Sequence, residues 1–398
     1  MRLGTSSLVV AAFIGPGTVL TCASAGVQFG YGLGWVLLFA TAAAFVLQSF
    51  TASTGILAGQ GLGEALREAA DTPIRRALTF GLVVLGLWMG CAAFETGNLL
   101  GATAGLGLLL GLPEARWLPV VLAGLAMVLL LLDVRVLIRV LAGLVTLMGV
   151  LFLVTLLVAP LDLGEALRGA FVPAVPEGGL LTVVALIGTT IVTYNLFLHA
   201  AATRTYWHDT PSPQAWRREL LGMALFLPLG GLISWSILAA GASLADVDAP
   251  MTQVADFARL LEPVAGEAAR YLFGLGLLAA GLTSAVTAPL AAAAGISELF
   301  GWSPEQDRGR YRLVWGSVVL TGLFFALTDF SPLRVIVAAQ AANGLLLPLI
   351  AVFVVALAAR QRAVSLPRWY LGLGGLIVLV SAGLGLRTLW WVWGQLSG

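Results

Sequence analysis

Ionisable side chains are rare in this sequence, and two of them stand inside long apolar stretches. Glu95 lies three residues before Asn98, so on a helix the two side chains share one face. His199 stands in a second apolar stretch. A carboxyl group and an imidazole can each take up and release a proton, so we predict that Glu95 and His199 carry coupling protons and that Asn98 orients Glu95. A purely structural hydrogen bond or ion pair is the alternative at each position.

Two apolar stretches contain residues that disfavour a continuous helix. The first reads Ile-Gly-Pro-Gly-Thr at 14–18, where proline removes a backbone donor and glycine weakens the helix. The second carries Gly-Thr-Thr at 188–190 and Thr-Tyr-Asn at 193–195. A half-helix that restarts after a break presents unpaired N–H groups and a partial positive charge, and both attract an anionic group. A kink at a packing contact is the alternative for the first break taken alone.

We therefore predict one ligand site between the two breaks. The hydroxyls of Thr18 and Tyr194 and the amide of Asn195 are the expected direct contacts. The full set of predicted lining residues is Gly15, Pro16, Gly17, Thr18, Val192, Thr193, Tyr194 and Asn195.

Membrane-spanning helices must position these residues. The 398-residue chain is 59% hydrophobic and only 10% charged, whereas a soluble domain carries about a quarter charged residues. Its apolar runs recur at lengths that can cross a bilayer of about 30 Å. The eleven predicted spans are 5–27, 31–58, 79–111, 117–137, 139–159, 179–203, 214–242, 268–299, 311–328, 332–358 and 369–395. The breaks fall in the first and sixth spans, which is typical of an inverted-repeat transporter with a midplane site.

The spans predict an all-α polytopic membrane fold with a single transmembrane domain over 1–398. Its repeats are expected at 1–160 and 178–358, with an appended helix at 369–395. Arginine bias predicts a cytoplasmic N-terminus and an extracytoplasmic C-terminus. The first apolar segment leads directly into the repeating pattern, so we expect no cleavable signal and a bacterial inner (plasma) membrane location.

Three segments of the chain resemble the Nramp family of divalent-metal transporters. They read FGYGLGWVLLFATAAAFVLQSFTASTGILAGQGLGEALRE at 29–68, IGTTIVTYNLFLHAAATRTY at 187–206 and AAGLTSAVTAPLAAAAGISELFG at 279–301. The resemblance covers essentially the whole chain and implies a LeuT-like 5+5 inverted-repeat fold that works by alternating access. It also implies a proton path that includes His199 and Arg312, the latter standing where the family has a basic pair. An ordinary cytoplasmic anchor is the alternative for Arg312.

The resemblance fails at the family's metal ligands. The family's first helix carries Asp-Pro-Gly-Asn, which aligns with Gly-Pro-Gly-Thr at 15–18. Its sixth helix carries Met-Pro-His-Asn, which aligns with Val-Thr-Tyr-Asn at 192–195, and its third-helix Asp-x-x-Glu pair falls on Glu95 and Asn98. Hard dications need carboxylate or carbonyl oxygen, and soft transition metals favour thioether or imidazole ligands. The sequence therefore predicts that the transition-metal site is lost.

Without a carboxylate at the first break, two positive helix ends favour a solute that carries negative charge. We expect import of a small anion of bicarbonate or short monocarboxylate size, or of a small zwitterion such as an amino acid, coupled to H⁺ or Na⁺. Two alternatives stay open. One is a proton-coupled divalent metal ion (Mn²⁺/Mg²⁺) transporter with a rearranged site, and the other is a sensor that transports nothing.

Two further groups of residues are candidates for ion coupling and gating. Ala280, Thr283 and Ser284 have the spacing of the eighth-helix part of the sodium site on LeuT-like folds. Close packing of small residues is the alternative for them. Gln340 and Asn343, in the tenth span, are predicted to gate the outer side of the site, and interhelical hydrogen bonding without gating is the alternative.

Composition gives little support to other functions. A formal net charge of +1 does not suggest a nucleic-acid partner. Cys22 and Cys91 form no metal or redox motif and are expected to pack in the apolar interior. No catalytic motif occurs, so we expect neither an enzyme nor a cofactor. The expected partners are the solute or ion, the coupling ion and the lipid bilayer, and the protein is expected to be a monomer.

Overall fold

The computed structural model describes residues 15–112, 115–132, 135–158, 161–244, 253–303, 306–360 and 367–397, without the side chains at 135–141, 392 and 394–397. The helices of these residues are α1 Pro16–Phe29, α2 Gly34–Leu57, α3 Leu62–Ala69, α4 Pro73–Leu110, α5 Leu118–Leu131, α6 Arg135–Val158, α7 Leu163–Phe171, α8 Leu180–Thr190, α9 Thr193–Tyr206, α10 Pro213–Ala242, α11 Glu262–Ala265, α12 Ala269–Phe300, α13 Arg308–Ala326, α14 Pro332–Arg360 and α15 Arg368–Ser397. Two 3₁₀ helices, Val254–Leu261 and Gly266–Ala268, flank α11. The described part of the chain contains no strand, as predicted.

A described helix falls on each of the eleven predicted spans, and the sixth span is divided into α8 and α9. The first span is described only from Gly15 onward, so its predicted part at 5–14 lies outside the described residues. The connection between the fifth and sixth predicted spans contains a short helix, α7, that the sequence analysis does not predict. The Asp162 side chain accepts a hydrogen bond from the Glu165 backbone N–H at 2.9 Å and so caps the start of that helix.

Seven segments of the described chain are long and apolar enough to cross a membrane, and they are Gly34–Leu57, Pro73–Leu110, Leu180–Tyr206, Pro213–Ala242, Val254–Phe300, Pro332–Arg360 and Arg368–Trp391. In the remaining predicted spans, the described helices are shorter or more polar. Helix α5 has 14 residues, and the described part of α1 begins at Pro16. Helix α13 begins with Arg308, Arg310 and Arg312, which lower its apolar character.

Glycines allow the central helices to approach one another closely. A Cβ placed on Gly26 of α1 would collide with the Leu238 carbonyl of α10, and one on Gly188 of α8 would collide with the Gln340 carbonyl of α14. Small residues at such contacts are a general feature of helix packing in membranes. Helices α1 and α8 also contact each other, so the packing brings the two interrupted helices together.

Candidate functional site at the two helix breaks

The described chain begins at Gly15, inside the first predicted break. Gly15 has an extended backbone (φ −94°, ψ 172°), and α1 begins at the next residue, Pro16. Proline is favoured at this position because its missing N–H would have no partner in the first turn. The first backbone hydrogen bond of the helix runs from the Val19 N–H to the Gly15 oxygen at 3.2 Å. The N–H of Gly17 precedes that bond and therefore belongs to the positive end of the helix.

The second break interrupts the sixth span after Thr190. Val192 has an extended backbone (φ −80°, ψ 120°), and α9 starts at Thr193. The first backbone bond of α9 is donated by the Asn195 N–H to the Val192 oxygen at 3.1 Å. The N–H groups of Thr193 and Tyr194 precede this bond, so a second positive helix end is present. The predicted interruption of the sixth span is thereby confirmed, whereas residues 5–14, which would precede the first break, lie outside the described residues.

Asn343 of α14 holds the second break in shape. Its Nδ2 donates to the backbone oxygens of Gly188 and Ile191, the latter at 3.3 Å. Its Oδ1 accepts from the Thr193 hydroxyl at 3.0 Å. Asn343 is fully buried, and one side chain thus satisfies both sides of the interruption. The predicted gating role of Asn343 stays a prediction, since the structure places the residue on the break itself.

Side chains from four helices, α1, α8, α12 and α14, meet at the first break. Thr18 Oγ1 lies 2.8 Å from Thr189 Oγ1 of α8, and either hydroxyl can donate. The amide of Gln340 lies directly over Gly17, where an added Cβ would collide with Gln340 Nε2. A Cβ on Gly15 would lie 3.6 Å from Ser284 Oγ of α12, which is an ordinary contact. The structure therefore brings together residues to which the sequence analysis assigns three separate roles, namely solute binding, gating and ion coupling.

Several buried polar atoms at the breaks have no hydrogen-bond partner. Both amide atoms of Asn195 are unpaired, and so are Gln340 Oε1 and Thr21 Oγ1, one turn beyond Thr18. Asn195 and Gln340 are each only 1% exposed. Buried polar groups without partners cost about 1–3 kcal/mol each, so these atoms indicate where a solute or water binds.

Tyr194 points its ring toward α4. The ring stacks edge-to-face on Phe94 with centroids 5.6 Å apart, and Tyr194 and Val192 are each 2% exposed. These two residues form the apolar wall of the break. The predicted contact between the Tyr194 hydroxyl and a solute stays a prediction.

Glu95 lies next to that wall and is completely buried. Its Oε2 accepts from Asn98 Nδ2 at 3.5 Å, a long hydrogen bond, and its Oε1 has no partner. Helix α13 packs closely over it, because a Cβ on Gly322 would lie 2.6 Å from Glu95 Cγ. An intramembrane carboxyl group with so few partners can bind a proton or a cation, which fits the predicted coupling role.

His199 is paired with a carboxyl group that the sequence analysis missed. His199 Nε2 lies 3.4 Å from Glu219 Oε1 of α10, and both side chains are buried. Glu219 Oε2 accepts from Trp207 Nε1 at 3.1 Å, and His199 Nδ1 lies 3.5 Å from Thr51 Oγ1. Glu219 follows Arg217 and Arg218 near the start of α10. A charged run of this kind is typical of a helix end at the membrane surface, so the sequence did not single out Glu219 as a buried carboxyl group.

The remaining predicted ion residues are more dispersed. Thr283 donates its hydroxyl to the Ala279 and Ala280 carbonyls of its own helix. Arg312 is exposed in the second turn of α13. It lies ten residues before Gly322, about 15 Å along the helix from the contact with Glu95. Of this group, only Ser284 is placed directly beside a break.

A cavity of about 340 Å³ lies near the first break. Its lining on α4 runs from Leu100 to Leu108 and so flanks Gly101, which packs directly against Pro16. Its described lining residues are Leu100, Thr103, Ala104, Leu108, Gln253, Val254, Ala255, Ser331, Pro332 and Leu333, none of which is ionisable. Within the described residues, no three His, Cys, Asp or Glu side chains cluster so that they could hold a metal ion.

The comparison with protein families decides the classification. A family model described as "Natural resistance-associated macrophage protein-like" matches residues 6–391. The chain belongs to the Nramp family. Members of this family are transporters, so an Nramp chain of this kind is a membrane transporter and not an enzyme.

Curated relatives of this Nramp chain carry the name "Divalent metal cation transporter MntH". The protein from Burkholderia ambifaria is 29% identical over 302 residues, which cover 73% of this chain and 66% of the relative. The protein from Bacillus subtilis is 29% identical over 300 residues, which cover 71% of this chain and 67% of the relative. The matched region spans about two thirds of the length of these relatives.

Solved structures confirm the LeuT-like fold of this Nramp protein. The manganese transporter of Eremococcus coleocola superposes with a TM-score of 0.75 at 21% identity, over 97% of this chain and 85% of that one. Mhp1, a nucleobase-cation-symport-1 family transporter, superposes with a TM-score of 0.60 at 18% identity, over 98% and 93% of the two chains. At these identities the likeness concerns the fold alone.

Proposed function

We propose that this Nramp protein is a secondary transporter that imports a small solute with a carboxylate or similar anionic group, coupled to H⁺ or Na⁺. The observation that carries the proposal is the composition of the site. The start of α1 contacts the last turn of α8 through Thr18 and Thr189, α9 begins three residues after α8 ends, and the side chains of Thr18, Thr189, Asn195 and Gln340 are all neutral. Such a site offers hydrogen-bond donors and positive partial charge to an anionic group.

Electrostatics argue against a dehydrated dication at the same place. Each helix N-terminus acts as roughly half a positive charge, and the C-terminal end of α8, which reaches Thr18 through Thr189, acts as roughly half a negative charge. A dication placed between two such N-termini needs carboxylates to offset the field, and Gly15 supplies none. The uncharged cavity beyond Gly101 adds no acidic group along its described lining. A carboxylate would instead gain from the N–H groups of Gly17, Thr193 and Tyr194.

We place the coupling ion near the site. Glu95 is a buried carboxyl group with an unpaired Oε1, and His199 contacts the carboxyl group of Glu219. Either place can bind a proton without being a direct solute contact. Sodium is the alternative coupling ion, and the position of Ser284 beside Gly15 supports a sodium site there. Insertion into the bacterial inner membrane with the N-terminus inside belongs to the same proposal.

A divalent metal cation is the second candidate substrate. The names of the curated relatives favour it. The amide and hydroxyl oxygens at the breaks could bind a hydrated ion such as Mg²⁺, which keeps several of its waters in proteins. Glu95 would then be the nearby countercharge.

Uptake into proteoliposomes separates the two candidates. Liposomes with the purified protein would be offered radiolabelled acetate, bicarbonate, glycine and alanine, or radioactive manganese and magnesium, under inward gradients of H⁺ or Na⁺. Protein-free liposomes give the background. Concentrative uptake of a carboxylate or bicarbonate without metal uptake supports the proposal. Metal uptake without uptake of any anion or amino acid overturns it and establishes the second candidate.

A further inference from the structure

The unpaired atoms at the breaks include both hydrogen-bond donors and hydrogen-bond acceptors. Asn195 leaves both its Nδ2 donor and its Oδ1 acceptor without a partner. Gln340 leaves its Oε1 acceptor unpaired, and Thr21 leaves a hydroxyl that can act in either way. The start of α9 is bonded to α14 through Thr193 and Asn343, and Asn343 lies one turn from Gln340, so a solute that satisfies both Asn195 and Gln340 must bring groups of both kinds.

The position of Gln340 ties one acceptor to the positive helix end. Its amide lies against Gly17 in the first turn of α1, and its Nε2 would also lie 3.7 Å from a Cβ on Gly97 of α4. Gln340 is 1% exposed, so Oε1 cannot turn to bulk water. A group that binds the N–H of Gly17 therefore lies next to a buried carbonyl oxygen that lacks a donor.

Three classes of ligand differ in how many of these unpaired donors and acceptors they can satisfy. A simple carboxylate such as acetate satisfies the N–H groups but brings no donor to Asn195 Oδ1 or Gln340 Oε1. A metal cation satisfies the two oxygens but leaves Asn195 Nδ2 unpaired and adds positive charge to two positive helix ends. A solute with both a carboxylate and an N–H group satisfies all of them.

We propose that the solute is a small carboxylate that also carries an N–H donor, as an amino acid does. Its carboxylate lies at the helix ends of α1 and α9, and its N–H group donates to Gln340 Oε1 and Asn195 Oδ1. This inference rests on the proposed function, because it selects one chemical class within the anionic and zwitterionic solutes. It also makes Gln340 and Asn195 the residues that determine specificity.

Matched pairs of ligands test the N–H requirement directly. The purified full-length protein in lipid nanodiscs would be titrated calorimetrically with glycine against acetate, alanine against propionate, and proline against cyclopentanecarboxylate. Sites built to hydrogen-bond an N–H group reject the analogue that lacks it, so we expect the N–H-bearing partner of at least one pair to bind tighter by about ten-fold or more. Competition uptake in proteoliposomes provides the second readout.

Variants locate the discrimination in the structure. Gln340→Leu and Asn195→Leu remove the acceptors, so each is expected to reduce that preference to about three-fold or less. Gln60→Leu makes the same chemical change where the Gln60 amide bonds to Glu68 on an exposed edge, and it should keep the wild-type preference. The melting temperature of each variant shows whether it folds. If a variant does not fold, the ligand pairs measured on the wild-type protein still test the requirement for an N–H group.

The outcomes separate this inference from the function on which it rests. Equal binding within every pair would overturn the N–H requirement and leave a carboxylate transporter. A preference that survives in both Gln340→Leu and Asn195→Leu would overturn the assignment of the donor's partners. If no carboxylate binds, the proposed function and the inference are both overturned. This holds whether or not manganese or magnesium binds.

Discussion

Thr18 and Thr189 join the two interrupted helices through a hydrogen bond between their Oγ1 atoms, which lie 2.8 Å apart. Thr18 stands in the first turn of α1, and Thr189 stands in the last turn of α8. Both side chains are buried. The described part of the first span is thus connected to the first half of the sixth, directly beside the predicted solute position.

Replacing Thr189 by valine tests that connection. Thr189→Val removes one partner of a buried hydrogen bond, so we expect a loss of about 1 kcal/mol in folding free energy and a weaker apparent solute affinity by about three- to ten-fold. Thr190→Val is the control, because the Thr190 hydroxyl bonds to the Leu186 carbonyl of its own helix at 2.9 Å. Thermal melting and uptake measure both variants, and equal effects of the two would contradict the assigned role.

Two glycines of α4 give opposite predictions for one substitution. A Cβ on Gly101 would collide with the ring of Pro16, whereas a Cβ on Gly81 meets no atom within 4 Å. Gly101→Ala should displace the first break and abolish uptake. Gly81→Ala should keep activity and gain about 0.5–1 kcal/mol of stability, because alanine favours the helix. Activity in Gly101→Ala at the wild-type level would show that the contact with Pro16 does not shape the site.

Asn343→Leu is expected to lower stability and transport together. The substitution leaves the carbonyls of Gly188 and Ile191 without their side-chain donor, and each such loss costs about 1–3 kcal/mol. Ser234→Ala is a suitable control, since the Ser234 hydroxyl is buried but bonds only to a carbonyl of its own helix. If Asn343→Leu melts at the wild-type temperature, the residue does not hold the second break.

Glu95→Gln separates coupling from solute binding. The variant keeps the size and burial of the side chain but can no longer bind and release a proton. We expect uptake driven by a pH gradient to fall by about ten-fold or more, while exchange of solute between equal pools changes by less than about three-fold. Glu68→Gln on the exposed edge is the control. Unchanged gradient-driven uptake in Glu95→Gln would remove Glu95 from the coupling path.

The positions of the breaks could be predicted because their cause is local. Proline and glycine at 15–17 disfavour a helix wherever they stand, and the polar residues around Val192 mark a second interruption in an apolar run. The class of fold followed from the same features. The short helix α7 was missed, because an amphipathic nine-residue segment between two spans reads as a loop unless the cap at Asp162 is recognised.

The partners across the site could not be predicted, because they depend on packing between distant segments. Thr18 and Thr189 are 171 residues apart in the chain, and Thr193 and Asn343 are 150 apart. Glu219 was not recognised as the partner of His199, since two arginines precede it and suggest a hydrated helix end. Its burial becomes visible only in the structure, where Glu219 contacts His199 and Trp207.

Restoring the family's ligands tests whether side chains alone exclude metals. The backbone at Gly15 leaves space for a Cβ, with Ser284 Oγ 3.6 Å away. We therefore expect the variant with Gly15→Asp, Thr18→Asn and Val192→Met to gain manganese binding measurable by calorimetry, with the carboxylate offsetting the helix ends. Gly17→Asp is the control, because Gln340 already occupies that space. Absence of binding in the triple variant would place the barrier to metals elsewhere in the fold.

The most direct test of the neutral site is anomalous diffraction from crystals of the wild-type protein grown with manganese. The account predicts no anomalous peak between residues 15–18 and 192–195, and it predicts density there for a small carboxylate when crystals are grown with the solute. A strong manganese peak at that position, coordinated by Thr18 and Asn195, would contradict the account.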